Sequence, residues 1–210
     1  MTATETFPGQ HRPELLFVCG AVALLGTLAP LVTMTISALI TDHDFVGQTI
    51  SDLGRGPHKW IMDTGFYMNS AALLALAIGA AHLHLGRAGW SFGIFALAVL
   101  ALLTTMIGLW DAFHTAGNNP PGMTVHTWLT FGLGPLYLIG PVLMAPGAAK
   151  VHPWMKMAFY ASAILWIVFA AAFKLVPTSV DGALEKIAVA ATYGWTLPLA
   201  WVFLKLGLGR

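Results

Sequence analysis

Four groups of side chains in this sequence are of the types that move protons, hold metal ions or bind polar ligands. Ser51 and Asp52 stand in the stretch QTISDLGRGPHKW, Asp111 and His114 in WDAFH, His126 just after an Asn118-Asn119-Pro120-Pro121-Gly122 turn, and Asp181 and Glu185 in DGALEK. Two imidazoles and a carboxylate can hold zinc, with His114, His126 and Asp111 as the ligands. Asp52 would then be the base that activates a bound water. Without a metal, Ser51, Asp52, Asp111 and Glu185 would line a polar pocket, one carboxylate titrating with substrate or proton passage. A third reading is structural. Asp52 bonds neighbouring backbone amides, and Asp181 with Gly182 makes a cap and turn before a helix.

All three readings need elements that bring these groups together. Hydrophobic residues make up 57% of the 210, charged residues only 9%, and the mean hydropathy is +0.75, so a soluble domain is excluded. The expected fold is all-α, a polytopic membrane bundle. Charge-free runs at Leu15–Ile40, Thr64–Ala81, Ala88–Trp110, Thr127–Ala149, Met157–Phe173 and Ile187–Leu204 are near the roughly 20 residues a span requires. They lack two-residue alternation, and lipid demands internally bonded backbone, so they are helices rather than barrel strands. The first run is longer than a signal peptide's apolar core of about 7–15 residues, and no small-residue cleavage site follows it, so it is an anchor.

Six spans place both termini on one side, with Arg12, Arg87, Lys150, Lys156, Lys205 and Arg210. The other side has Arg55, Lys59, Lys174 and Lys186, so the positive-inside rule makes both termini cytoplasmic. Residues 1–14 are then a cytoplasmic segment, 15–206 a single transmembrane domain and 207–210 a cytoplasmic tail. The acidic residues sort to the outer face: Asp42, Asp44, Asp52, Asp63, Asp111, Asp181 and Glu185 lie there, and only Glu5 and Glu14 lie inside. The i, i+3 spacing of Asp111 and His114 puts them on one face at the outer end of the third helix, with His126 at similar depth across the turn. Gly54, Gly56 and Pro57 permit the first outer loop to re-enter and lay Ser51 and Asp52 over these helix ends.

Other polar residues are read more simply. Lys174 and Lys186 snorkel at helix ends or neutralise Glu185, His82 and His84 are interfacial, and Asn69 and Ser70 join helices. Pro135, Pro141 and Pro146 can kink the fourth span, and its glycines permit close packing. Trp60, Trp90, Trp110, Trp128 and Trp154 fit interfacial belts. Cys19 has no intrachain disulfide partner. No P-loop, G-x-G-x-x-G, G-x-S-x-G or C-x-x-C is present, so ATP-driven transport, nucleotide redox chemistry and serine-elbow hydrolysis are unsupported. A net charge of +1 without basic runs points to no nucleic-acid partner.

TISDLG (49–54), DAFH closing the third helix, His126 opening the fourth and DGALEK before the sixth together resemble the membrane-protein family called domain of unknown function 998, over about Leu15 to Leu204. That resemblance implies a six-helix protein of a bacterial inner membrane and brings no established activity. More loosely, Ser, Asp and His at helix ends are similar to the superfamily of alkaline ceramidases and adiponectin receptors, which implies zinc hydrolysis. That superfamily has seven helices and a His-x-x-x-His pair, which this chain lacks. The expected function is binding or transport of a small molecule or lipid at an outward-facing site. The alternatives are a metal-dependent hydrolase of a lipid or ester, and an accessory subunit of a membrane complex or homo-oligomer in the bilayer.

Overall fold

A computed structural model describes residues 12–109 and 125–209, and every regular element among them is helical. In chain order these are α1 (Pro13–Ile40), a single turn α2 (Ile50–Leu53), α3 (Lys59–Leu83), α4 (Ala88–Leu109), α5 (Val125–Ala148), α6 (Pro153–Leu175), α7 (Asp181–Ala191) and α8 (Tyr193–Gly207). Six helices are long and apolar enough to cross a membrane, α7 and α8 together forming the sixth. The chain is a multi-pass membrane protein.

The helices outrun the charge-free segments. α3 begins at Lys59, α6 at Pro153 and the sixth span at Asp181. A flanking charge ends an apolar run without ending a helix. Lys59 and Asp63 pair across one turn at 3.5 Å, and Pro153, lacking a donor, suits a first helical position. Asp181 is therefore the first residue of α7 and not its cap; Val180 takes that place, with no side-chain bond. Thr192 joins α7 to α8 with helical dihedrals, its hydroxyl donating to the Val189 carbonyl at 2.7 Å. Ser162 of α6 donates to the Ala191 carbonyl at 2.8 Å, which satisfies a group that the junction frees.

Successive spans are neighbours: α1 packs on α3, α3 on α4, α4 on α5, α5 on α6 and α6 on α7 and α8, while α8 returns to α1 and closes a ring. Lipid gives little hydrophobic drive for helices to meet, so close approach through small residues does that work. A Cβ at Gly26 of α1 would lie 2.1 Å from the Met68 carbonyl oxygen of α3, and one at Gly65 would lie 2.1 Å from Thr33 Oγ1. Asn69 Nδ2 donates across the same interface to the Gly26 carbonyl at 3.4 Å, and Ser70 donates to the Ala101 carbonyl of α4 at 2.7 Å. Both residues join helices, as their types suggest.

Tryptophan placement differs in part from the interfacial belt. Trp60, Trp128 and Trp154 are exposed, whereas Trp90 is 1% exposed and donates its indole N–H to the Ala80 carbonyl at 2.8 Å. Gly147 of α5 makes room for it, since a Cβ there would lie 2.5 Å from the ring. Its nearness to a span's end does not decide between lipid headgroup and core; the glycine facing it does. α5 runs unbroken through Pro135, Pro141 and Pro146. Trp110 lies outside the described residues.

Gly26→Ala should lower the midpoint of thermal unfolding in detergent, with overpacking costing about 1–3 kcal/mol. Gly134→Ala, where a Cβ meets nothing within 4 Å, should leave it unchanged or higher. Equal effects of the two would contradict the tight α1–α3 contact.

Candidate functional site

The segment before α3 is built by side chains answering backbone. Asp44 turns the chain: its carboxylate accepts from the Val46 N–H at 2.9 Å, and the amides of Val46 and Gly47 hold its carboxyl below the usual carboxylate range. Thr49 then caps α2. The Asp52 carboxylate accepts from the Thr49 N–H at 2.7 Å and from its hydroxyl at 2.8 Å, while Thr49 Oγ1 accepts from the Asp52 N–H at 3.2 Å, a complete capping box. The other Asp52 oxygen receives the Arg55 guanidinium. Gly56, at φ 72°, turns the chain toward α3.

This segment is docked on α7. The Ala183 N–H donates to the Val46 carbonyl at 2.9 Å, and the Lys186 ammonium donates to the carbonyls of Phe45, Gln48 and Gly182 at 3.1, 2.6 and 3.2 Å. Lys186 thus stitches the loop in place rather than snorkelling. Beside it, the Ile50 N–H donates to Glu185 Oε2 at 2.5 Å. Only glycine fits at 182, where a Cβ would lie 2.1 Å from the Gln48 carbonyl oxygen. Ile50 and Leu53 of α2 pack on Met34 and Met62, so the turn is seated on the ring by its apolar face. Lys174 lies apart, over the rings of Phe173 and Phe131 at 4.3 and 5.6 Å.

Beneath α2 lies a partly open cavity of about 100 Å³ to which all six spans contribute. Its polar end has Ser51 and Glu185, with His126 from the first turn of α5. Ser51 Oγ and His126 Nε2 are 3.1 Å apart, and His126 is 8% exposed. Farther in, the wall is mainly apolar, with Phe66, Ile107, Leu133 and Val189, and hydroxyls of Thr104, Thr130, Tyr137 and Tyr193 among them. Tyr137 is 11 residues along α5 from His126, or about 16 Å at 1.5 Å per residue. That separation is about half of a hydrocarbon core of roughly 30 Å.

A family model described as "Protein of unknown function (DUF998)" matches residues 21–202. The chain belongs to that family. No curated protein and no solved structure matches it.

In this DUF998 protein Ser51, His126 and Glu185 meet at one cavity, while the Asp52 carboxylate is engaged in the capping box and with Arg55. Asp111 and His114 lie outside the described residues. Among the described residues, no three His, Cys, Asp or Glu side chains are grouped to hold a metal ion. The hydroxyl residues deeper in the cavity went unnamed from sequence. A signal for them exists in Thr104, Thr130, Tyr137, Thr192 and Tyr193, polar positions in otherwise apolar spans. Asn69, read as joining helices, also lines the cavity. His82 accepts from the Arg12 N–H at 2.9 Å at the opposite end of the bundle, in keeping with an interfacial place.

Lys186→Met should leave the carbonyls of Phe45 and Gln48 without this donor, loosening residues 45–54 by about 1–2 kcal/mol once partial exposure is discounted. Amide hydrogen exchange there should quicken roughly 5- to 30-fold, with little change in α4. His43 supplies a pH dependence. Burial first, and then Lys186, lower its pKa against the opposing pull of Asp52 and Asp44. The unfolded chain, near the ordinary histidine value of about 6.5, takes up the proton first. Neutral His43 therefore stabilises the fold above about pH 6.5, and the contribution is lost as pH falls through the window below. Melting midpoints should drop from pH 7 to pH 5, and His43→Gln should flatten part of that slope.

Proposed function

We propose that this protein binds a slender amphipathic molecule, an acyl chain with a polar end, within its ring of helices. The observation that carries this reading is the cavity itself. A polar end at Ser51, His126 and Glu185 opens into a narrow, largely apolar interior about 16 Å deep, the shape and polarity order of a single chain with a headgroup. At about 100 Å³ the cavity is smaller than the one of about 150 Å³ that binds benzene, so it has room for the first part of one chain and none for a two-tailed lipid.

In this reading Ser51 and Glu185 contact the polar end, and Asp52 fixes the turn that carries Ser51. The distribution of Lys and Arg supports a mouth on the face away from the cytoplasm, since the cavity end has Arg55, Lys59, Lys174 and Lys186 and the other end has the larger set. A ligand entering there makes the protein a carrier or receptor for membrane-derived amphiphiles, with release governed by the α2 segment clamped on α7.

A diazirine-bearing fatty acid in proteoliposomes tests the reading. After irradiation, adducts should map to Leu133–Tyr137 and Val189–Tyr193, and Leu133→Trp, which fills the cavity, should cut them at least about tenfold, the equivalent of 1.4 kcal/mol. Adducts confined to outward-facing residues such as Leu102 and Ile164, and unchanged by that substitution, would contradict it.

A further inference from the structure

The contact between Ser51 and His126 has more to offer than a wall for a ligand. We propose that Ser51 is a nucleophile and His126 its general base, and that the protein cleaves acyl esters whose chain occupies the cavity. The proposal rests on the binding reading above. It adds a reaction to it.

Geometry carries the inference. With the imidazole proton on Nδ1, Nε2 accepts the Ser51 hydroxyl hydrogen at 3.1 Å, the reach a base needs to take that proton. The two residues come from elements 75 positions apart, so nothing local in the chain imposes their meeting. His126 is nearly buried, which keeps its base out of competing contact with bulk water, while Ser51 is half-buried and lines the cavity. Ser51 is also held in register. Its turn is capped by Thr49 and Asp52, seated by Ile50 and Leu53, and pinned to α7 through the Ile50 N–H on Glu185. Glu185 is a positioning residue in this scheme. A hydroxyl paired with a base and fixed by surrounding structure is the arrangement nucleophilic catalysis requires.

The cavity specifies the substrate class. A carbonyl at Ser51 leaves its acyl chain to run inward past Leu133 toward Tyr137, and the alcohol portion toward the mouth. In the first half-reaction Ser51 Oγ bonds to the acyl carbon as its proton passes to His126 Nε2. The ester C–O bond then breaks, and the same proton leaves with the alcohol. In the second half, water attacks the acyl-serine, gives a proton to His126 and releases the carboxylic acid as Ser51 regains its hydrogen. Ester and water become acid and alcohol, with no oxidant or further reactant.

A long-chain alkyl fluorophosphonate in proteoliposomes provides the test, read by peptide mass spectrometry. The expected result is an adduct on Ser51 of the unmodified protein, together with hydrolysis of a long-chain p-nitrophenyl ester. His126→Gln should slow both by about 10²–10⁴, the usual contribution of a general base, and Ser51→Ala should abolish both. Each variant must keep the melting midpoint of the unmodified protein in detergent, which shows that it folds. Absence of the Ser51 adduct in protein that still crosslinks the fatty acid, or an adduct indifferent to His126→Gln, overturns the reaction and leaves binding intact. Loss of crosslinking in the folded, unmodified protein would take down the binding reading as well, and this proposal with it.

Discussion

The site depends on two adjacent side chains, Glu185 and Lys186, that clamp a loop to the start of the sixth span. Backbone groups at the edge of a membrane are costly unless bonded, and the segment from Phe45 to Ile50 has several to satisfy. Lys186 serves the carbonyls, and Glu185 serves the N–H of Ile50. An acceptor and a donor next to each other on one helix thus answer opposite ends of the loop's polarity. The absent side chain of Gly182 makes the approach close enough for both. Without this clamp α2 has only one turn of helix and a few apolar contacts, too little to hold Ser51 against His126.

The ring of spans is the second condition. Each span meets the next in sequence, and α8 closes on α1, so a space left among them is walled by helices. Tight contacts at Gly26 and Gly65 draw α1 against α3, and Trp90 and Trp195 fill the space that Gly147 and Gly140 leave facing them. The cavity lies between the apolar seat of α2 and the rings of Tyr137 and Trp166, whose indole N–H is satisfied by the Gly134 carbonyl at 3.1 Å.

The distribution of charge follows the same division of labour. Asp44, Asp52 and Arg55 serve the loop's own conformation, and Lys59 with Asp63 the first turn of α3. Glu185 is the carboxylate that borders the cavity among the described residues. A loop crowded with ionisable groups is therefore mostly structural, and few of its polar groups face the cavity.

Composition and apolar run length determined the all-helical membrane architecture, because a hydrocarbon layer about 30 Å thick leaves so few ways to bury a backbone. TISDLG and DGALEK marked the two segments that dock on each other, and the capping of Asp52 onto neighbouring amides was legible because its partners are three residues away. What sequence could not show is which polar residues meet at long range. Ser51 and His126 are separated by 75 positions, and Ile50 and Glu185 by 135, and spacing along a chain says nothing about distances set by ring closure. Helix limits and the burial of Trp90 were likewise tertiary decisions, since a charge at a helix end or an indole near an interface takes its place from the neighbour that bonds it or the glycine that admits it.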